Sequence, residues 1–136
     1  MTKSAISKFV LSDEHKQALF TASLDVKEPQ LARILTRGVG YHHAGMEPSD
    51  RDLIEQLFRD RVLPVLCTTS TLSVGVNLPA HLVIIASTIA WRGQGSGYQE
   101  IPRAQILQML GRAGRPGYDT EGVGVVMAKL DDRTRL

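Results

Sequence analysis

The sequence predicts an α/β fold, a mainly parallel sheet flanked by helices. Three observations carry that expectation. Residues 64–69 and 82–86 are short apolar runs of the kind that fill a covered sheet, and a polar stretch with room for a short helix separates them. Apolar residues at spacings of three and four mark helices before and after this pair. Gly122-Val-Gly-Val-Val-Met-Ala-Lys129 reads as a closing strand, within 122–130. In such a layer the loops at the strand ends hold the site.

A length of 136 residues fits one domain with a core of its own. With 43% hydrophobic and 22% charged residues the chain is of the globular class, and with only 5% aromatics its packing must be aliphatic. No apolar run approaches the roughly 18 residues a bilayer span needs, and Met1-Thr-Lys-Ser opens without the apolar core of a secretory signal, so no membrane partner and an intracellular place are expected. Cys67, the single cysteine, is expected in the core. A net charge of +2 says little about partners, but 11 of the 16 basic residues are arginine, the better cation for two-point phosphate contacts.

Taken in order, residues 4–37 are expected to be a helical lead-in. Ala5, Ile6, Phe9 and Val10 form one apolar patch, Ala18, Leu19 and Ala22 continue it after a cap at Ser12, and a short helix from Pro29 ends before Gly38. Asp13-Glu14-His15 suits a helix start rather than catalysis. Residues 38–45 read as a strand and turn. The next helix is capped near Glu47 or Ser49, carries Asp50 and Asp52 in its first turn, and repeats Leu53, Ile54, Leu57 and Phe58. His42 and His43 lack further ligands at metal-binding spacing, so one packed and one hydrogen-bonded imidazole is the expectation, with no metal site. Thr69, Ser70 and Thr71 are placed to cap a short helix and to present hydroxyls and amides to a phosphate. Residues 87–101 form two β-prone arms around Gly93, Gly95 and Gly97, the pattern of a hairpin; without a following Lys-Ser or Lys-Thr it is no P-loop.

The last helix is expected over 102–117, packing through Ile106, Leu107, Met109 and Leu110. On that helix Gln108, Arg112 and Arg115 would project together from the other face. Gly111 and Gly114 permit close approach or a left-handed cap, and Pro116 stops the helix. Spacing alone is equally compatible with a solvated amphipathic helix.

Gln108-Met-Leu-Gly-Arg-Ala-Gly-Arg115 resembles motif VI of the superfamily 2 helicases. Residues 68–80 resemble motif V, with Ser73 where the family often has alanine, and Gly38-x-x-x-His-His-Ala-Gly45 is similar to a stretch of the DExH branch. Three motifs in order point to the second RecA-like, helicase C-terminal domain, within the branch that includes the meiotic crossover and archaeal repair DNA helicases. The resemblance implies an ATP-dependent enzyme in which Arg112, Arg115 and Gln108 serve catalysis, and Gly75, Asn77, Gly111 and Gly114 line the ATP cleft. Thr69, Ser70, Thr71, His42, His43, Trp91 and Arg92 would then face nucleic acid. DNA is the expected strand, with RNA open, and the nucleus the expected place. In this family the hairpin between motifs V and VI splits the duplex; Trp91, Arg92 and Tyr98 either stack on an opened base pair or pack across the hairpin.

No Gly-x-x-x-x-Gly-Lys-Ser/Thr and no Asp-Glu-x-His box occurs in the chain, so ATP and magnesium are expected to be held mainly by a first RecA-like domain, and this chain alone to be inactive. The family's usual first strand is also not evident, which predicts an incomplete sheet edge. Residues 131–136 look like the start of a further helix, as in a cut or fragmentary form of a longer helicase. A non-catalytic nucleic-acid-binding or scaffold module of the same fold is the alternative; a Rossmann dehydrogenase fails for want of its glycine fingerprint.

Overall fold

The computed structural model describes residues 12–70 and 76–128. The expectations for Ala5, Ile6, Phe9, Val10, Thr71, Ser73, Gly75 and the tail lie outside the described residues. The chain forms two compact units, Met1–Leu72 and Ser73–Leu136.

In the first unit, helix α1 (Asp13–Asp25) starts where the sequence places it, with the Ser12 hydroxyl accepting from the His15 amide at 3.1 Å. Helix α2 (Pro29–Leu35) follows, then strand β1 (Val39–His42), helix α3 (Pro48–Arg59) and strand β2 (Val65–Thr68). β1 and β2 pair in parallel, Val39 opposite Val65 and His42 opposite Thr68. The core is aliphatic, as the composition demands: Leu19, Ala22, Leu31, Leu35, Ile54 and Leu63 are buried, with Tyr41, Leu53, Leu57 and Phe58 packed on them. β1 is packed so closely that a Cβ on Gly40 would meet Leu63 Cδ2 at 2.8 Å and Ile54 Cδ1 of α3 at 3.3 Å.

Asp50 is the least expected member of that core. Instead of merely serving the first turn of its own helix, its carboxylate is buried and accepts from the Lys27 and Glu28 amides, both at 3.0 Å, at the entrance to α2. It therefore satisfies donors that α2 would otherwise leave orphaned.

The second unit holds strand β3 (Leu82–Ile85), the antiparallel pair β4 (Ile89–Trp91) and β5 (Tyr98–Glu100), helix α4 (Arg103–Leu110) and strand β6 (Val123–Val126). β3 and β6 pair in parallel, Leu82 opposite Val123 and Ile85 opposite Val126. α4 sits against this pair: Gly124 leaves room for Leu110, whose Cδ2 would lie 2.7 Å from any Cβ there.

Two burial expectations are corrected. The apolar runs do not form strands covered on both faces. In β2, Cys67 is exposed rather than in the core, and in β3 only Ile85 is buried while Leu82 and Ile84 are exposed. The reason is the sheet itself, since each of these strands has a single strand neighbour among the described residues. Leu107 is likewise exposed, leaving Ile106 as the buried anchor of α4.

Candidate functional site

In the first unit the end of β1 and the end of β2 lie side by side. Thr69 donates its amide to the His42 carbonyl at 3.3 Å, and Thr68 and Thr69 are exposed there. The two histidines diverge, as strand alternation requires. His42 points inward, with Nε2 2.7 Å from Glu55 Oε1. That corrects its assignment to the nucleic-acid face: its ring is buried and committed, and Nδ1 has no partner among the described residues. His43 lies on the outer side, stacked on Tyr41 with ring centroids 5.7 Å apart, and its Nδ1 accepts from the Gly45 amide at 3.1 Å. With Nδ1 accepting, the neutral ring carries its proton on Nε2.

In the second unit, the expected helix over 102–117 ends at Leu110. Gly111 keeps a right-handed conformation (φ −62°, ψ −8°), and Gly114, at φ +93°, takes the left-handed one. Arg112 and Arg115 therefore do not share a helical face with Gln108; they stand in the irregular segment beyond it. A backbone bridge drives the departure. Ala80 donates to the Arg112 carbonyl at 3.0 Å and accepts from the Gly114 amide at 2.7 Å, a parallel pairing of Ala80 with Ala113. Gly122 closes the other side, where a Cβ would fall 2.4 Å from the Ala113 carbonyl carbon. Only a hydrogen fits.

This bridge brings two sequence-predicted residues together. Arg112 donates from Nη1 to Asn77 Oδ1 at 2.9 Å. Arg115 starts a tight turn through Pro116 and Gly117 (φ +80°), with Tyr118 donating back to the Arg115 carbonyl at 3.1 Å, the Pro-Gly pattern of a type II turn. The turn delivers Asp119, which sequence reasoning missed. Its carboxylate accepts from Arg115 Nε at 2.8 Å, from Nη2 at 2.8 Å and from the Arg115 amide at 2.9 Å. His81 Nδ1 stands 3.3 Å from the same carboxylate. The Arg115 guanidinium, hydrogen-bonded side-on, holds the Asp119 carboxyl well below the usual carboxylate range, against the opposing effect of burial. The Pro-Gly dipeptide with an acid four residues after Arg115 was the available signal.

The hairpin is as predicted, closed by Arg92 donating its amide to Gly97 at 2.9 Å. Trp91 and Tyr98 meet edge to face at 5.2 Å across it, yet both remain more than half exposed, at 58% and 71%. The Arg92 guanidinium reaches Gln105 at 3.4 Å. Among the described residues no three metal-ligating side chains cluster, and no helix is long and apolar enough to cross a membrane.

The arginine segment is thus tethered through Arg112 to Asn77 of the polar loop. Residues 2–117 match the family model described as the helicase conserved C-terminal domain, and the chain belongs to that family, whose fold is RecA-like. It is 48% identical over 129 residues to the mouse (Mus musculus) protein named probable ATP-dependent DNA helicase HFM1, covering 95% of this chain and 9% of that one. It is 40% identical over 131 residues to the Arabidopsis thaliana ATP-dependent DNA helicase homolog MER3, covering 96% of this chain and 12% of that one. The A. thaliana DExH-box ATP-dependent RNA helicase DExH14 is 40% identical over 135 residues, 93% of this chain and 6% of the relative. The chain thus spans between 6% and 12% of the length of these relatives.

Proposed function

We propose that this chain is the second motor domain of an ATP-dependent helicase acting on DNA in the nucleus. In this reading Arg112 and Arg115 donate to the terminal phosphate of ATP held by a first RecA-like domain. Gln108, Gly111, Gly114, Asn77 and Gly75 complete this side of the cleft. Thr69, Ser70, Thr71 and His43 face the strand backbone, and Trp91 and Arg92 the bases beyond it. The observation that carries the reading is the Arg112–Asn77 hydrogen bond, which joins the arginine segment to the loop resembling motif V. DNA is preferred to RNA because the relatives that are 48–49% identical over 129–135 residues are named DNA helicases, whereas other relatives at 47–48% align over only 102–111 residues.

Chemically, a guanidinium at the γ-phosphate stabilises charge spread over the transferred phosphoryl oxygens and stays protonated throughout. Magnesium would be held mainly by the first domain and would there supply counter-charge to the phosphates. The test uses the full-length protein. Arg112→Ala and Arg115→Ala should each lower DNA-stimulated ATP turnover by about 10³-fold or more while ATP binding changes little. Full turnover in either variant would remove the assignment.

A further inference from the structure

The side-on pairing of Arg115 with Asp119 leaves the guanidinium half used. Nε and one N–H of Nη2 are spent on the carboxylate, whereas Nη1 makes no hydrogen bond among the described residues. Arg115 is one-third exposed, at 33%, while Asp119 is nearly enclosed, at 8%, so the pair presents its donor end and hides its acceptor. The carboxylate is itself fixed from two further sides, by the Arg115 amide at 2.9 Å and by His81 at 3.3 Å. His81 lies four residues past Asn77, so Asp119 links the turn to the stretch that holds Arg112.

We infer that Asp119 is a positioning residue for Arg115: it clamps the guanidinium side-on so that Nη1 and the remaining N–H of Nη2 point outward as a preset fork for an oxyanion. The inference rests on the reading of Arg115 as a phosphate-contacting residue. A freely rotating arginine has to be ordered each time the cleft closes, and a clamped one has already lost that freedom. Phosphate need not displace Asp119, because the two acids use different edges of the same guanidinium. Asp119 itself touches no substrate.

The test is a double-mutant cycle in the full-length protein, read as kcat and KM for ATP under saturating single-stranded DNA. Asp119→Asn keeps the shape but cannot accept two charge-assisted bonds, so kcat should fall about 10- to 100-fold with KM within about twofold. Added to Arg115→Ala, it should cause no further loss. If the two losses multiply, or if Asp119→Asn turns over normally, the inference fails while the role of Arg115 stands; if Arg115→Ala alone keeps full turnover, the underlying reading fails instead. Should Asp119→Asn not fold, hydrogen exchange at Nε of wild-type Arg115 gives the second measurement. It should be much slower than at the exposed Arg103, and exchange equally fast at both would overturn the clamp.

Discussion

Arg112 and Asn77, 35 positions apart in the chain, are joined by a 2.9 Å hydrogen bond from Nη1 to Oδ1. Asn77 is exposed, so the bond is worth less than the roughly 1.5–3 kcal/mol of a sheltered charge-assisted one, and about 1 kcal/mol is a fair expectation. Asn77→Ala should therefore lower DNA-stimulated ATP turnover of the full-length protein about fivefold. Combined with Arg112→Ala it should add nothing; multiplying effects would mean that the two residues act separately.

Trp91 is the single tryptophan, and it stands exposed beside Tyr98 at the loop end of the hairpin. Its emission should be quenched when an oligothymidylate binds, because a base stacked on the indole deactivates the excited ring by direct contact. Tyr98→Ala removes the edge-on partner and, with stacking worth about 1–3 kcal/mol per base, Trp91→Ala should weaken binding by roughly 5- to 150-fold. Unchanged emission at saturation would restrict the pair to packing across the hairpin.

Asp50 carries the entrance to α2. Replacing it by alanine strands two amides and opens a small void in an otherwise aliphatic core, which should cost about 2–4 kcal/mol in urea unfolding of this chain. Asparagine keeps the volume and one acceptor oxygen, so Asp50→Asn should lie between wild type and alanine. Equal stability of all three would show that the cross-element cap contributes nothing.

The pH dependence of the Arg115–Asp119 pair has a definite sign. The folded carboxyl titrates well below its unfolded value of about 3.9, so its stabilisation is complete above that value and is lost only as pH falls toward the folded pKa. The melting-temperature gap between wild type and Asp119→Asn should be flat from about pH 8 to 5 and shrink below about pH 4. A gap that already closed above pH 5 would show that Arg115 is not what holds the carboxylate ionised.

What the sequence disclosed was whatever depends on neighbours a few residues away. Ser12 with Asp13 and Glu14 marks α1, the Leu53, Ile54, Leu57, Phe58 repeat marks α3, and the glycines at 93, 95 and 97 mark the hairpin. Distant pairings were hidden. Gln108, Arg112 and Arg115 keep helical spacing, yet the Ala80–Ala113 bridge pulls the chain out of the helix at Leu110, and no local pattern announces a bridge to a residue some thirty positions away. Asp50 looks like an ordinary first-turn acid until Lys27 and Glu28 are seen beneath it. The residues alone allowed one packed and one hydrogen-bonded imidazole, and His42 is the packed one; its place on the nucleic-acid face came only from the resemblance, and on a strand consecutive side chains oppose one another.

Gly122, finally, makes the arginine segment and the start of β6 mechanically one piece. Adding a single methyl group there would displace the carbonyl between Arg112 and Gly114, unseating both guanidiniums from a distance while leaving every charged group chemically intact. On the proposed reading, motor output would then be lost through a position that carries no side chain at all.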